Sequence, residues 1–271
     1  MSEKRFQILL TNDDGILSPG LWAAAETLGT LGYVTVAAPR EQSSGAGRSL
    51  SLNGDGRIER RNLKVGEQDW VVHAVGGTPA TVVVHSLLEI LPELPDLVVS
   101  GINYGENLSI DITSSGTVGA ILEAAAFGIP AMAVSLQLPN VCEDYLSYSE
   151  DFNFKIAALF TQKIAARLLE RSFPAGINLL NVNVPHDATP ETAWRFTRLS
   201  RRRYYWPKAD RKKDGLSEGG ALNSYIEVDP DKLEKDSDVY ALIIDKMVSV
   251  TPMTLDMTAG VDFEELNRKF L

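Results

Sequence analysis

Residues 6–15, FQILLTNDDG, carry an apolar run directly into two adjacent aspartates and a glycine. A continuous apolar run of this length is typical of a strand that is buried on both faces of a parallel sheet. Ligands of such sheets bind beyond the carboxyl ends of the strands, which is where Asp13 and Asp14 are placed. Because the two carboxylates repel each other, a hard divalent cation such as Mg²⁺ or Mn²⁺ would explain their pairing. The structural alternative is an Asx-type turn, in which the aspartates bond only backbone amides.

The rest of the first two-thirds of the chain alternates strand-like and helix-like segments. The strand-like segments are YVTVAAP, DLVVS, IPAMAVSL and INLLNVNVP. The helix-like segments are GLWAAAETLGTLG, ATVVVHSLLEIL, TVGAILEAAAFG and FNFKIAALFTQKIAARLLERS. Residues 49–75 are typical of short strands separated by turns, with Asn53-Gly54 and Asp55-Gly56 as turn signals. The alternation predicts an α/β fold with a mostly parallel sheet and helices on both faces.

The pattern changes after about Pro185. Residues 198–215, RLSRRRYYWPKADRKKDG, combine basic and aromatic side chains. Residues 239–252, VYALIIDKMVSVTP, resemble a strand, and residues 262–270, DFEELNRKF, resemble a short helix. We therefore predict a core of residues 1–186 and a C-terminal β-hairpin extension of residues 187–271. A tail of this kind buries itself poorly, so we expect it to pack on another subunit as an oligomerisation arm.

Composition limits the classes of function that the chain can serve. With 271 residues the chain is long enough for a large core, and its net charge of -10 opposes binding to nucleic-acid backbones. The single cysteine, Cys142, excludes an intrachain disulfide and a multi-cysteine metal site, which fits a cytoplasmic protein. The sequence contains neither a signal-peptide pattern at its start nor an apolar run of about 20 residues, so we expect no membrane role.

Three further loops are expected at the same edge of the sheet as the paired aspartates. APREQSSGAGRS follows the second strand, and GINYGEN, with Asn103 and Asn107 as neutral oxygen donors, follows DLVVS. The third loop places four small residues at the start of a helix: Ser114, Ser115, Gly116 and Thr117. The free amides and the dipole of a helix N-terminus favour a phosphate. Each segment also has a structural alternative: an ordinary surface loop for the first, asparagine turns for the second and simple N-capping for the third. Taken together, the three loops and the paired aspartates indicate a metal and phosphate site.

Several other kinds of site do not fit the sequence. It contains no G-x-x-x-x-G-K-[ST] motif, and GAGRS does not fit G-x-G-x-x-G. Phosphatases with an aspartyl nucleophile separate their two acids by one residue, whereas the two aspartates here are adjacent. We expect structural roles for His73 and His85, assign no role to His186, and expect no catalytic role for Cys142.

Six segments occur in the order seen in the SurE (survival protein E) family of metal-dependent nucleoside monophosphate phosphatases. They are LLTNDDGILSPG, APREQSSGAGRSLSL, GGTPAT, VSGINYGENL, SSGTVGAILEAAAFGIPAMAVS and SDVYA followed by VSVTPMTLDMT. The resemblance runs from about Arg5 to Thr258. It implies a Rossmann-like core with a C-terminal hairpin extension that joins subunits into a homodimer or homotetramer.

The resemblance also implies a ligand set for one divalent cation, Mg or Mn. The family uses two adjacent aspartates, a loop serine and an asparagine, which here are Asp13, Asp14, Ser44 and Asn103. Counting from Ala38-Pro39 without a gap places Ser44, rather than Ser43, in the ligand position. The segment Ser115, Gly116 and Thr117 matches the family's phosphate-binding turn, whereas Ser114 stands where some members have histidine or tyrosine.

On this basis we expect hydrolysis of nucleoside 5′-monophosphates, and of 3′-monophosphates as an extension. Asp13 and Asp14 are the predicted catalytic residues because they would hold the metal, and Asn12 and Asn107 are predicted to orient water or phosphate. The alternatives are a non-catalytic Mg-dependent nucleotide sensor and a short-chain polyphosphate hydrolase. A weak RNA-binding protein that uses residues 201–213 is a further rival, which the acidic net charge disfavours.

Overall fold

The structure is a computed structural model of the chain and describes residues 5–52, 54–65, 67–139, 152–171, 173–209 and 222–271. The predictions for Cys142 and for residues 210–213 of the basic segment fall outside these ranges. The strands are β1 Phe6–Thr11, β2 Gly32–Pro39, β3 Ile58–Val65, β4 Gln68–Val75, β5 Leu97–Tyr104, β6 Ala131–Leu136, β7 Leu179–Val184, β8 Trp194–Phe196, β9 Tyr205–Ala209, β10 Leu222–Ile226 and β11 Val248–Met253. The helices are α1 Pro19–Leu28, α2 Pro79–His85, α3 Gly116–Ala126, α4 Lys155–Glu170 and α5 Phe263–Phe270.

A nine-stranded sheet in the order β3-β4-β2-β1-β5-β6-β7-β11-β8 organises the chain. The six consecutive strands from β4 to β7 in that order run parallel to one another. Towards the two edges, β3 pairs with β4 and β11 pairs with β7 in the antiparallel sense. The prediction of a mostly parallel sheet is therefore confirmed, and β1, which bears the paired aspartates at its end, lies near its centre.

Helices cover both faces of this sheet, as predicted. One buried cluster joins α1 and α4 to the face that carries Ile8 and Leu10 of β1. The other cluster joins α2 and α3 to the opposite face, which carries Leu9. Alternate side chains of β1 thus pack in two different buried clusters. Because both faces of the strand are buried, its sequence is a continuous apolar run.

Two segments depart from the regular structure that the sequence predicts. The helix predicted for ATVVVHSLLEIL is α-helical only to His85 and continues as a π-helical turn, Ser86–Ile90. The strand predicted for residues 239–252 is wrong in its first half, where Tyr240–Ile244 form a π-helical turn before β11 begins. The Ser237 hydroxyl accepts a hydrogen bond from the amide of Tyr240 at 3.1 Å, so a cap in front of the apolar residues starts a turn there.

The C-terminal part contributes both to the main sheet and to a separate hairpin. β8 and β11 form one edge of the nine-stranded sheet, whereas, within the part of the chain that the structure describes, β9 and β10 pair only with each other, in the antiparallel sense. The predicted C-terminal β-hairpin is thus confirmed, and the predicted terminal helix is present as α5. The boundary between residues 186 and 187 stays a prediction. Among the described residues, no helix has the length and apolar character needed to cross a membrane.

Candidate functional site

The chain leaves β1 through a turn that Asn12 and Gly15 hold. Asn12 Oδ1 accepts a hydrogen bond from the Gly15 amide at 3.2 Å, and Asn12 Nδ2 donates to the Gly15 carbonyl at 3.0 Å. Gly15 has a φ of 94°, a conformation that residues with a side chain rarely adopt. Because the chain turns here, Asp13 and Asp14 escape the strand alternation and are both buried, at 5% and 6% exposure. Asn12 uses its amide to hold this turn, and its contact with a substrate stays a prediction.

Asp13 lies against the first turn of α3. The Thr117 hydroxyl donates to Asp13 Oδ1 at 2.6 Å. A Cβ atom on Gly116 would lie 2.8 Å from Asp13 Cβ and 2.9 Å from Asp13 Oδ2, so the helix can approach this closely only with glycine at that position. Ser115 caps the helix, since its hydroxyl accepts from the Val118 amide at 3.2 Å. Asp13 is therefore in contact with Gly116 and Thr117, although Thr117 lies 104 residues further along the sequence.

The two aspartates carry more negative charge than their surroundings stabilise. Burial raises the pKa of Asp13, and hydrogen bonds from Thr117 and Gly116 offset this only in part. Burial and the neighbouring Asp13 charge raise the pKa of Asp14 to about 8, against the lowering effect of hydrogen bonds from Tyr104 and Gln42. A divalent cation beside the carboxylates would reverse both shifts, because it favours the ionised forms.

The donor set fits a hard divalent cation. Within the described residues, no three histidine, cysteine, aspartate or glutamate side chains form a cluster that could hold a metal ion. A cation at Asp13 and Asp14 would therefore take its other protein ligands from neutral oxygens, which suits Mg²⁺ or Mn²⁺ better than Zn²⁺. Two of the histidines have other partners: His85 Nδ1 lies 2.5 Å from Glu89 Oε1, and His186 Nδ1 lies 3.3 Å from Gln137 Oε1.

The hydroxyl-rich loop after β2 reaches the aspartates through its backbone. The amide of Ser43 donates to the Asp13 carbonyl at 2.7 Å, and the amide of Gly47 donates to the Ser114 carbonyl at 2.9 Å. The loop thus bridges the turn after β1 and the start of α3. Ser44, the predicted metal ligand, is the exposed residue that follows Ser43, and its role stays a prediction.

Asn103 and Tyr104, at the end of β5, form the next wall of the site. The Tyr104 amide donates to Asp14 Oδ2 at 3.1 Å, so this strand end lies directly beside the second aspartate. Asn103 Nδ2 donates to the Gly105 carbonyl at 2.6 Å, which leaves the carbonyl oxygen of its amide on the other side of the group. An oxygen donor oriented in this way is compatible with the predicted ligand role of Asn103.

Asn107 is docked on the ends of β6 and β7 by side chains that the sequence analysis missed. Its side-chain Nδ2 donates to Ser135 Oγ at 2.9 Å, and its backbone amide donates to Asn183 Oδ1 at 2.8 Å. Its backbone carbonyl accepts hydrogen bonds from Asn181 Nδ2 and Asn183 Nδ2, both at 2.9 Å. Polar residues at alternate positions of the otherwise apolar LLNVNV are the signal that could have identified this face of β7.

A second group of buried carboxylates ties the loop after β5 to the C-terminal part. Tyr204 OH donates to Glu106 Oε1 at 2.6 Å, and burial raises the pKa of Glu106. Asp238 accepts from the Ser109 amide at 2.8 Å and from the Ser200 amide at 2.9 Å. The segment that follows Asn103 is therefore held by residues from far along the chain.

Comparisons with known proteins identify the family of the chain. The family model described as Survival protein SurE matches residues 8–206. A curated relative from Thermococcus gammatolerans named 5′-nucleotidase SurE is 42% identical over 260 residues, which cover 96% of this chain and 94% of the relative. A relative of the same name from Thermococcus kodakarensis is 41% identical over 262 residues, covering 97% of each. The crystal structure of the SurE protein from Aquifex aeolicus superposes with a TM-score of 0.72 at 32% identity, covering 97% of this chain and 98% of the other. The chain belongs to the SurE family.

Proposed function

We propose that this member of the SurE family is a metal-dependent 5′-nucleotidase, which hydrolyses nucleoside 5′-monophosphates to a nucleoside and phosphate. The observation that carries the proposal is the burial of Asp13 and Asp14 side by side, where β1 ends against the first turn of α3. Relatives that bear the name 5′-nucleotidase align with nearly the whole chain, and the aligned part includes this site. Hydrolysis of 3′-monophosphates is a further prediction for the same site.

The catalytic role of the aspartates is to hold the cation, with Ser44 and Asn103 as neutral ligands. When bound, the cation would polarise the phosphoryl group and lower the pKa of a water molecule. The hydrogen bond from Thr117 keeps the Asp13 carboxylate oriented.

The first turn of α3 is the proposed phosphate seat. Ser115, Gly116 and Thr117 lie at the positive end of the helix, whose dipole stabilises negative charge on a phosphoryl group. Hydrogen bonds with Ser135 of β6 and Asn183 of β7 fix Asn107, so its side-chain amide has a fixed position at the same edge of the sheet. We propose that this group orients the phosphate or the attacking water.

The test is phosphate release from a panel of nucleoside monophosphates in Mn²⁺, in Mg²⁺ and in EDTA. We expect release that depends on the metal, and a loss of at least about a hundredfold in kcat/KM for Asp14→Asn. The matched control is Asp69→Asn, the same substitution at an exposed position of β4, which should retain wild-type turnover. Equal turnover by Asp14→Asn and wild type would refute the assignment of the metal site.

The alternatives to a nucleotidase are not favoured. A non-catalytic nucleotide sensor and a short-chain polyphosphate hydrolase could both use the site around Asp13 and Asp14. However, the relatives that match almost the full chain bear the name 5′-nucleotidase. Tight binding of a nucleoside monophosphate without release of phosphate would favour the sensor over the nucleotidase.

We further infer a homodimer or homotetramer in the cytoplasm, joined through residues 187–271. Several large apolar side chains of this part are exposed, among them Leu222, Phe263 and Phe270, and their burial against a second copy would be favourable. Light scattering after size exclusion tests the oligomer, and Phe263→Ser with Phe270→Ser should shift it towards the monomer. An unchanged mass for that variant would exclude α5 from the interface.

A further inference from the structure

A cavity of about 360 Å³ lies in the C-terminal part, between residues 201–206 and residues 227–233. This volume is within the range of pockets that bind small molecules. Its apolar side includes Tyr204 and Val239, which belong to a small buried cluster separate from the two cores of the main sheet. None of its lining residues belongs to the site around Asp13, so the cavity has its own chemistry.

The charged side chains that line the cavity are predominantly cationic. Four are basic and two are acidic: Arg201, Arg202, Arg203, Lys232, Glu227 and Asp229. Lys232 and Asp229 neutralise each other, since Lys232 Nζ lies 2.5 Å from Asp229 Oδ2. Three arginines and one carboxylate remain on the lining, one of the arginines partly compensated by a carboxylate outside it, in a protein whose net charge is -10. A local excess of positive charge in an acidic protein attracts small anions.

Two of the arginines have guanidinium groups that are available to a ligand. Arg203 Nε lies 3.5 Å from Asp111 Oδ1 and is partly compensated. Neither Arg201 nor Arg202 forms a direct ion pair with any residue that the structure describes, although Arg202 lies within electrostatic reach of the Asp229 and Glu234 carboxylates. Arg202 Nε donates to the Lys232 carbonyl at 2.7 Å, which leaves its two terminal nitrogens to a ligand. Adjacent guanidinium groups with free N–H donors match the oxygens of a phosphate group.

The other lining residues suit the rest of a nucleotide. Trp206, in β9, is 41% exposed and offers an indole face on which a planar base can stack. Glu227 is exposed, and its carboxylate forms no ion pair within the described residues, so it can accept hydrogen bonds from ribose hydroxyls or an exocyclic amine. We propose that this cavity is a second nucleotide site, in which Arg201 and Arg202 bind the phosphates and Trp206 stacks on the base.

A nucleotide fits these features better than an RNA chain does. The cavity has room for one small molecule, whereas RNA binding requires a basic groove that follows several phosphates. The acidic net charge also opposes a long polyanion, whose attraction grows with the number of phosphates contacted.

The test is calorimetric titration of the full-length protein with ATP in a buffer that contains EDTA, which removes metal-dependent binding at the aspartates. We expect one ATP per chain, with an affinity that falls as salt rises. Arg201→Ala with Arg202→Ala should weaken binding at least tenfold, and Trp206→Ala should weaken it about fivefold or more. The matched control is Arg198→Ala, because Arg198 is exposed, pairs with Asp236 and does not line the cavity; its affinity should equal that of wild type.

Three results would overturn the proposal. The first is ATP binding that is lost in Asp14→Asn and unchanged in the double arginine variant, which would assign the ligand to the site around the aspartates. The second is equal affinity for tripolyphosphate and ATP together with no effect of Trp206→Ala, which would leave an inorganic anion as the ligand. The third is affinity for single-stranded RNA that rises with its length and exceeds that for ATP. Because none of these titrations measures phosphate release, failure of this proposal is distinguishable from failure of the nucleotidase assignment.

Discussion

Gly116→Ala tests how closely α3 must approach Asp13. The added Cβ would lie 2.8 Å from Asp13 Cβ, 2.9 Å from Asp13 Oδ2 and 3.2 Å from Pro79 Cγ. Nonbonded carbon atoms rest at ~3.5 Å or more, so Asp13 Cβ, which carries the carboxylate, must retreat by roughly 0.7 Å. Asp13 is buried and hydrogen-bonded to Thr117, so this movement would displace a proposed metal ligand rather than a free side chain.

Two opposing effects set the size of the change in stability. Alanine gains up to ~1 kcal/mol over glycine in a helix, and less in its first turn. Overpacking costs ~1–3 kcal/mol, so we expect a net loss of about 1–2 kcal/mol in the free energy of unfolding. Displacement of a catalytic group by a fraction of an ångström should reduce kcat/KM about 10- to 100-fold.

The assay combines thermal unfolding with phosphate release at several Mn²⁺ concentrations. Raised Mn²⁺ should restore part of the lost turnover, because the variant binds the metal less tightly. Gly260→Ala is the matched control, since no heavy atom of the described residues lies within 4 Å of the added Cβ. Wild-type metal affinity and kcat/KM in Gly116→Ala would refute the argument that the contact with Asp13 positions the metal.

Three other predictions concern the buried carboxylates. Asp14→Asn should stabilise the metal-free protein. Burial and the Asp13 charge raise the Asp14 pKa from 3.8 to about 8, so the folded state favours the protonated carboxyl. The stabilisation that this protonation gives the wild-type protein is fully present below pH 4 and is lost as pH rises through 8. In EDTA at pH 8 the variant should gain about 2–4 kcal/mol over wild type by thermal unfolding, and at pH 4 the gain should vanish. Thr117→Val removes the hydroxyl that bonds Asp13 and should weaken Mn²⁺ binding about 10- to 100-fold, measured by calorimetry. Tyr204→Phe leaves buried Glu106 without its hydroxyl donor and should cost about 1–3 kcal/mol in urea unfolding.

Each of these predictions has an outcome that contradicts it. Equal stability of Asp14→Asn and wild type in EDTA at pH 8 would show that the Asp14 charge is compensated in the folded state. An unchanged Mn²⁺ affinity in Thr117→Val would remove Thr117 from the support of the metal site. For Tyr204→Phe the control is Tyr225→Phe, which lies in the exposed hairpin and should change stability by less than about 0.5 kcal/mol; equal losses in both variants would count against the buried hydrogen bond.

Much of the architecture and of the candidate site could be predicted from local patterns. The apolar run of β1 and the later alternation of strands and helices determine a parallel sheet, because strands of this kind must be covered on both faces. The carboxyl ends of parallel strands meet at one edge of the sheet, so the placement of Asp13, Asn103 and Ser115 near one another followed from the order of the segments. Ser115 also acts as the N-cap that its position indicated.

Only the tertiary structure decided how these groups are supported. Contacts such as Asn107 with Asn183 and Thr117 with Asp13 join residues 76 and 104 positions apart, and no local pattern specifies which distant side chain completes a hydrogen bond. The same holds for electrostatics: adjacent aspartates are visible in the sequence, but the rise in the Asp14 pKa depends on burial, which the packed fold creates. The sequence by itself therefore determined the elements and the edge of the sheet where they present polar groups. The fold decided the contacts and the desolvation, because both depend on parts of the chain that come together only when it packs.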